Sequence, residues 1–385
     1  MKKLLIVNNN MKVGGVQKSL YNLLWSIQGA YDVTLYLFQN DGEYVDKLPP
    51  EVKLLTDRSL FSYLGCSQGQ CHGLHRWLRG ALVLLTRLFG RRVVLRLLLL
   101  RKRCLPEEYD CAIAFLHNGN PKNFYGGVQD FVLHRSKAKK KIAFLHCDYA
   151  TCGANHQQNN RLLEKFDAIA ACSKGCRDAF LSVLPHLEER CTVVHNCHCL
   201  EEIRALAAES PVNYAPDDFH ILMVCRLAHE KGVDRAIRAV GTAVAQGQRV
   251  KLHLVGDGAK RRELQELCFR LGLEDTVRFH GEQVNPYRFM PGADLFLLSS
   301  YHEAAPLVLE EAASLGLPIL TVRTTSSREM VEETGCGWVC DNTEAALETA
   351  LGSLVRKGDL RGVLSASRRT DNGVALEEFR QITEI

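Results

Sequence analysis

The sequence predicts an α/β fold of two Rossmann-like domains facing across a cleft. Three observations carry that expectation. The chain has 385 residues, and single hydrophobic cores rarely grow past about 250–300 residues. Short apolar strands alternate with amphipathic helices in both halves, the pattern of mostly parallel sheets covered on both faces. A turn-rich stretch, Ser210-Pro211-Val212-Asn213-Tyr214-Ala215-Pro216, separates the halves.

In the first half, residues 4–7 read as an apolar strand and residues 8–15 as the loop after it. A helix is expected over residues 16–28, with Leu20, Leu23, Leu24 and Ile27 on one face. Further strands are expected at 32–38, 111–115, 142–145, 168–171 and 192–194. The linker falls between Asn196 and Asp218, so the domains are expected at 1–198 and 199–385. The second half repeats the pattern, with strands at 220–224, 251–255, 276–279, 294–298 and 318–321. A helix over 260–271 carries Leu264, Leu267, Cys268 and Leu271 at helical spacing.

The hydrophobic content of 46% allows each half a full core. Charge is uneven. Residues 58–106 hold ten Lys or Arg and no Asp or Glu, so the rest of the chain, against +4 overall, is net −6. Within the segment 72–104, arginines alternate with Trp77, Phe89 and many leucines. The longest uncharged run, residues 80–86, is far short of the roughly 20 residues a membrane span needs. A basic amphipathic insert of this kind suits an anionic membrane surface. No nucleic-acid reading motif accompanies the charge, so no nucleic-acid partner is expected.

Fifteen cysteines are many, but none form a C-x-x-C pair. The start, Met1–Val7, meets Asn8-Asn9-Asn10 before a signal-peptide core can form, and reduced cytosolic thiols are the expectation. The densest cluster, Cys191, His195, Cys197, His198 and Cys199, lacks paired knuckle spacing. No metal or other cofactor is expected.

Four charged residues carry most of the chemistry. Arg226 and Lys231 follow the strand at 220–224, on a loop at the carboxyl end of a parallel strand, where open α/β sheets bind ligands. Two cations there suit a diphosphate. Glu303 and Glu311 bracket the start of a helix near Pro306, and two carboxylates suit the hydroxyls of a ribose and a sugar. The backbone N–H groups of Ala305, Pro306's successor Leu307 and the next residues would add an anion site at that helix start. Together these features read as a nucleotide-sugar site. Gly14 and Gly15 let backbone approach a phosphate or an acceptor, and His146 and Asp148 follow the strand at 142–145.

In this order and spacing the motifs resemble retaining glycosyltransferases of family 4, with the GT-B fold. The matching pieces are Gly14-Gly15-Val16-Gln17, Arg226-Leu227-x-x-x-Lys231-Gly232, Val255-Gly256-Asp257-Gly258, Phe279-His280-Gly281, Asn285-Pro286-Tyr287, the run 293–300 and the Glu303/Glu311 pair. The resemblance implies roles. Arg226 and Lys231 would hold the donor diphosphate, Glu311 the ribose and Glu303 the donor sugar. Gly256 would form the family's turn, Gly281 would line the base pocket, and His146 would support an oxocarbenium-like transition state. It also implies a C-terminal helix packing back on the first domain. Transfer would proceed with retention and without a metal, in agreement with the lack of a D-x-D motif. The acceptor would be a glycan, lipid-linked if the insert 72–104 meets a membrane, and the protein would sit at the inner face of a bacterial plasma membrane, making surface polysaccharide. Two departures stand out. Ala304 replaces the usual Gly after Glu303, and Asn196-Cys197-His198-Cys199 replaces Asn-Gly-x-Asp.

Two other readings are compatible with parts of the sequence. A catalytically inactive, membrane-associated family member would serve as a binding subunit. A nucleotide-dependent oxidoreductase is disfavoured, because Gly256-Asp257-Gly258 lacks the full G-x-G-x-x-G and its acidic partner.

Overall fold

A computed structural model describes residues 1–66, 71–100, 104–361 and 371–384. The chain divides into two compact units, residues 1–198 with 372–385, and residues 199–371.

Unit 1 is a seven-stranded parallel sheet. Its strands are β1 (Lys2–Asn8), β2 (Tyr31–Leu37), β3 (Lys53–Thr56), β4 (Glu108–Ala114), β5 (Lys137–Leu145), β6 (Ala168–Ala171) and β7 (Cys191–Val193), in the order β3-β2-β1-β4-β5-β6-β7. The β1 residues Leu4, Leu5, Ile6 and Val7 are fully buried. Four successive buried side chains point alternately to both faces, so both faces are covered. The strand order reverses between β1 and β4, and Leu4 pairs with both Val33 and Cys111 there.

The helices of unit 1 are α1 (Gly15–Ser26), α2 (Gly73–Phe89), α3 (Arg91–Leu100), α4 (Val128–Arg135), α5 (Gln157–Leu163) and α6 (Lys174–Leu181). The expected inward face of α1 holds, with Leu20, Leu23 and Leu24 buried. The insert is the helical pair α2–α3. On α2, Leu74, Trp77, Leu78, Leu84, Leu85, Leu88 and Phe89 are exposed, Trp77 by 80%. They recur at helical spacing, so α2 carries an apolar stripe on its solvent side. Two arginines of the insert serve the fold instead. Arg79 Nε donates to the Cys66 carbonyl at 3.1 Å. Arg91, buried, donates to the Gly119, Asn120 and Tyr125 carbonyls and to Asn159 Oδ1. Arg101, Lys102 and Arg103 lie outside the described residues.

Unit 2 opens with α7 (Leu200–Ala208), a helix inside the stretch expected to be linker. Asn285 Nδ2 donates to the Leu206 carbonyl and ties α7 to this unit. A six-stranded parallel sheet follows, built of β8 (Phe219–Val224), β9 (Val250–Val255), β10 (Val277–Gly281), β11 (Leu295–Leu298), β12 (Ile319–Val322) and β13 (Gly337–Cys340), in the order β10-β9-β8-β11-β12-β13. Its helices are α8 (Val233–Ala245), α9 (Arg261–Leu271), α10 (Leu307–Ser314) and α11 (Glu344–Lys357). One core joins α8, α9 and α11 to the sheet through Ile237, Val240, Leu264 and Leu351. A second core, on Leu222, Phe296, Leu309 and Ala312, includes α7 and α10.

The chain then returns to unit 1 as α12 (Gly373–Thr383). Phe379 of α12 packs edge-on against Tyr31, and Cys111 Sγ donates to the Thr383 carbonyl. The Glu378 carboxylate accepts from the His195 backbone N–H at 2.9 Å and lies 2.9 Å from its Nδ1. The second sequence domain, expected at 199–385, therefore ends at residue 371, because the apolar face of α12 is buried by unit 1 residues.

Candidate functional site

In unit 2 the strand order reverses between β8 and β11, and ligands of open α/β sheets bind at such a reversal. The loop after β8 carries Arg226 and Lys231, and the loop after β11 carries Glu303. Sheet topology alone thus juxtaposes residues about 75 apart in sequence. Lys231 Nζ lies 2.6 Å from Glu303 Oε1. Ser300 Oγ donates to the same oxygen at 2.7 Å.

Close backbone packing fixes the Lys231 loop. Gly232 has φ 58°, and a Cβ there would lie 2.2 Å from the Ser299 carbonyl oxygen. Ser299 Oγ donates back to the Gly232 carbonyl at 2.8 Å. Arg235, buried in the first turn of α8, donates to the Ser299 and Ser300 carbonyls and to Asn342 Oδ1. Its guanidinium lies 4.3 Å from the Tyr301 ring centroid. Arg235, Ser300 and Tyr301 thus hold the two site loops together, and no local motif in the sequence marks them.

Gly256 shapes the neighbouring turn. Its φ is 130°, and a Cβ would meet the Cys225 carbonyl oxygen at 2.0 Å. Its N–H donates to the Gly281 carbonyl at 2.7 Å, so the two glycines named in the sequence are bonded to each other. Arg226 is exposed and paired with Glu230, four residues on in the same loop, at 2.5 Å. Exposed pairs of this kind contribute about 0–1 kcal/mol, so an incoming phosphate competes for Arg226 at little cost. No local motif marks Glu230 as a competitor for Arg226.

Pro306 caps α10 from outside, with ψ 114°, and the helix expected near it begins at Leu307. Glu311 is the fifth residue of α10 and is 93% buried. Tyr287 Oη donates to Glu311 Oε1 at 3.0 Å. A carboxylate so buried needs donors, and the Asn285-Pro286-Tyr287 motif supplies one. Ala304 is unstrained, since Ser210 is the one non-glycine with positive φ among the described residues. The position after Glu303 does not require Gly here. Ala305 lies in the loop between Glu303 and α10 and packs on the second core of unit 2.

Behind Gly281, three histidines form a chain. His220 Nε2 donates to the Ala215 carbonyl at 2.7 Å. Its Nδ1 must then accept from His253 Nε2, at 3.0 Å, and His253 Nδ1 in turn accepts from His280 Nε2, at 3.1 Å. Burial first, then His280 and His220, pushes the His253 pKa down to about 3.

In unit 1, Gly14 caps α1 with extended backbone, and Gly15 begins the helix. His146 follows β5 and packs against the rings of Phe115 and Phe144. Its Nε2 is shut off from solvent and has no hydrogen-bond partner. Burial, with His117 nearby, lowers its pKa to about 3, so the ring is neutral at physiological pH. Asp148 Oδ1 accepts from the Ala150 and Thr151 N–H groups and shapes a turn. His195 faces Glu378, and the Asn196 side chain accepts from Ser19 Oγ at 2.6 Å.

Residues 208–370 match the model of the family glycosyl transferases group 1. Unit 2 is a domain of that family. Among curated proteins, the lipopolysaccharide core biosynthesis glycosyltransferase LpsD of Rhizobium meliloti is 33% identical over 171 residues, 44% of either chain. The lipopolysaccharide glucosyltransferase WaaG of Escherichia coli is 32% identical over 127 residues, 33% of either chain. The match thus spans less than half the length of these relatives. Among solved structures, HepE of Anabaena in complex with UDP superposes with TM-score 0.66 at 18% identity, covering 99% of this chain and 98% of that one. TarM of S. aureus does so with TM-score 0.68 at 12% identity, covering 100% and 99%. The fold is GT-B.

Proposed function

We propose that the protein is a glycosyltransferase that moves a sugar from a nucleotide-sugar donor to a glycan or lipid-linked acceptor in bacterial surface-polysaccharide synthesis. What carries this reading is the Lys231–Glu303 pair at the strand-order reversal of a group 1 domain, beside the buried Glu311 carboxylate. The UDP in the HepE structure supports a nucleoside diphosphate as the leaving group.

In the proposed mechanism, Lys231 and Arg226 bind the donor diphosphate and stabilise the charge that develops as the glycosidic bond breaks. No metal takes part in transfer, because these two cations neutralise the leaving group. Glu311, held by Tyr287, accepts from the ribose hydroxyls. Glu303 accepts from hydroxyls of the donor sugar, and its contact with Lys231 couples sugar recognition to the phosphate site. The first N–H groups of α10, from Leu307 on, add donors to phosphate. Gly256 and Gly281 leave room beside the base. The acceptor hydroxyl attacks the face from which the diphosphate leaves, with retention. The neutral His146 ring serves by hydrogen bonding rather than as a cation.

We also assign α2–α3 to an anionic membrane surface. Its support is the solvent-facing stripe of Trp77, Leu84, Leu88 and Phe89, with exposed Arg76, Arg87, Arg92 and Arg96 beside it. No described helix is long and apolar enough to cross a membrane.

The test is a thermal-shift panel of nucleoside diphosphates, nucleotide sugars and NAD. A ligand at 100 times its Kd stabilises by about 2.7 kcal/mol. One nucleoside diphosphate should raise Tm in the wild type and not in Glu311→Ala. A shift with NAD alone, or with none of them, would overturn the donor site. Binding without transfer would favour the inactive binding subunit.

A further inference from the structure

Unit 1 carries a group of metal-type ligands outside the donor residues. β4 and β5 are neighbouring parallel strands, with Ile113 opposite Ile142 and Ala114 opposite Ala143. Their loops therefore leave the same edge of the sheet side by side. His117 is three residues beyond β4, and Cys147 two beyond β5. The chain then turns back on itself: the N–H groups of Thr151 and Cys152 both donate to the Asp148 carbonyl, at 3.3 and 2.9 Å. That turn returns Cys152 to Cys147. One ligand atom each from His117, Cys147 and Cys152 lies within 4.8 Å of the others.

The chemistry of the three atoms is that of a borderline-soft cation. His117 Nδ1 is buried with no hydrogen-bond partner, although a buried ring nitrogen normally has one. Cys147 is buried and Cys152 exposed, so the group opens to solvent on one side.

We propose that His117, Cys147 and Cys152 bind a zinc ion. Zinc bonds of about 2.0–2.3 Å in a tetrahedron place ligand atoms roughly 3.5–3.8 Å apart. The three atoms lie within 4.8 Å of one another, so they need to approach by about 1 Å at most, within reach of side-chain rotation. Three protein ligands leave a fourth position for water on the exposed side. Thiolate donors select zinc over magnesium or calcium. Binding releases the thiol protons to solvent, so affinity falls as pH falls. The ion would tie the β4 and β5 loops together and fix the segment that bears His146. No local motif marks the group, because C-x4-C is not a knuckle spacing and His117 is 30 residues from Cys147.

The full chain, purified reduced, would be loaded with Zn²⁺, passed through a desalting column and assayed for metal per chain. A competing chromophoric chelator would give the affinity. The wild type should hold one zinc per chain, and Cys66→Ser should hold the same. His117→Gln and Cys152→Ser should bind at least tenfold more weakly. Co²⁺ in place of zinc should show thiolate-to-metal charge transfer, about halved in Cys152→Ser, an exposed position that tolerates serine. Zinc should raise Tm in the wild type and not in Cys152→Ser. No stoichiometric metal in the wild type, or equal retention by Cys152→Ser, overturns the assignment.

Discussion

Acidification should destabilise unit 2 through His253. A histidine held below its ordinary pKa binds fewer protons folded than unfolded. Its contribution to stability is whole above the unfolded value of about 6.5 and is lost as pH falls toward the folded value of about 3. The loss runs at about 1.4 kcal/mol per pH unit, so at pH 5 it reaches about 2 kcal/mol. The figure is insensitive to the folded value, provided that value stays below about 4. The informative variant is His253→Gln, whose amide keeps a donor for His220 Nδ1 and an acceptor for His280 Nε2. With Trp25 and Trp77 changed to Phe, Trp338 on β13 is the one remaining tryptophan and reports on unit 2. Urea unfolding followed by Trp338 fluorescence, at pH 8 and pH 5, gives the two stabilities. The fall between them should be about 2 kcal/mol smaller in His253→Gln than in its parent. Equal falls would mean that His253 is not a buried neutral ring, and the tautomer chain would be wrong.

Further outcomes follow from the site and the insert. Lys231→Ala should weaken nucleoside diphosphate binding at least tenfold, as loss of a charge-assisted bond of about 1.5–3 kcal/mol requires. Adding Glu303→Gln should recover part of that loss by removing an unpaired negative charge beside the phosphates, and calorimetric titration of both variants checks it. Arg87→Gln, Arg92→Gln and Arg96→Gln together should weaken binding to anionic vesicles and flatten its salt dependence in a sedimentation assay. Arg91→Gln should instead lower Tm, since Arg91 is buried among four acceptors. Gly232→Ala should destabilise unit 2 by about 1–3 kcal/mol, because its Cβ would collide with the Ser299 carbonyl at positive φ; urea unfolding measures it.

The central strands were legible because burial on both faces forces continuous apolar runs, as in residues 4–7 and 221–223. β3 and β13 escaped notice. Both are four-residue edge strands with half-exposed residues, too short for a continuous apolar run or a clear alternation to show. The four charged residues of the candidate site were legible because their charges follow strand ends in a fixed order. The parts that hold them were not. Arg235 looks like any helix surface arginine until its three acceptors are seen, and Tyr287 reveals its bond to Glu311 only when 24 residues of chain are folded. The solvent-facing stripe of α2 inverts the usual rule that the apolar face of a helix points inward, so periodicity finds the helix and not its direction.

The return of α12 to unit 1 has a consequence for biosynthesis. A ribosome delivers residues 1–198 first, but the pocket for Phe379, Ile382 and Thr383 beside β2 and β4 waits through the synthesis of the whole of unit 2. During that interval Tyr31 and Cys111 face either water or a substitute partner. Unit 2, continuous in sequence, can close by itself meanwhile. The first domain made is thus the last one finished, and the nascent chain carries an exposed apolar seam until residues 372–383 arrive.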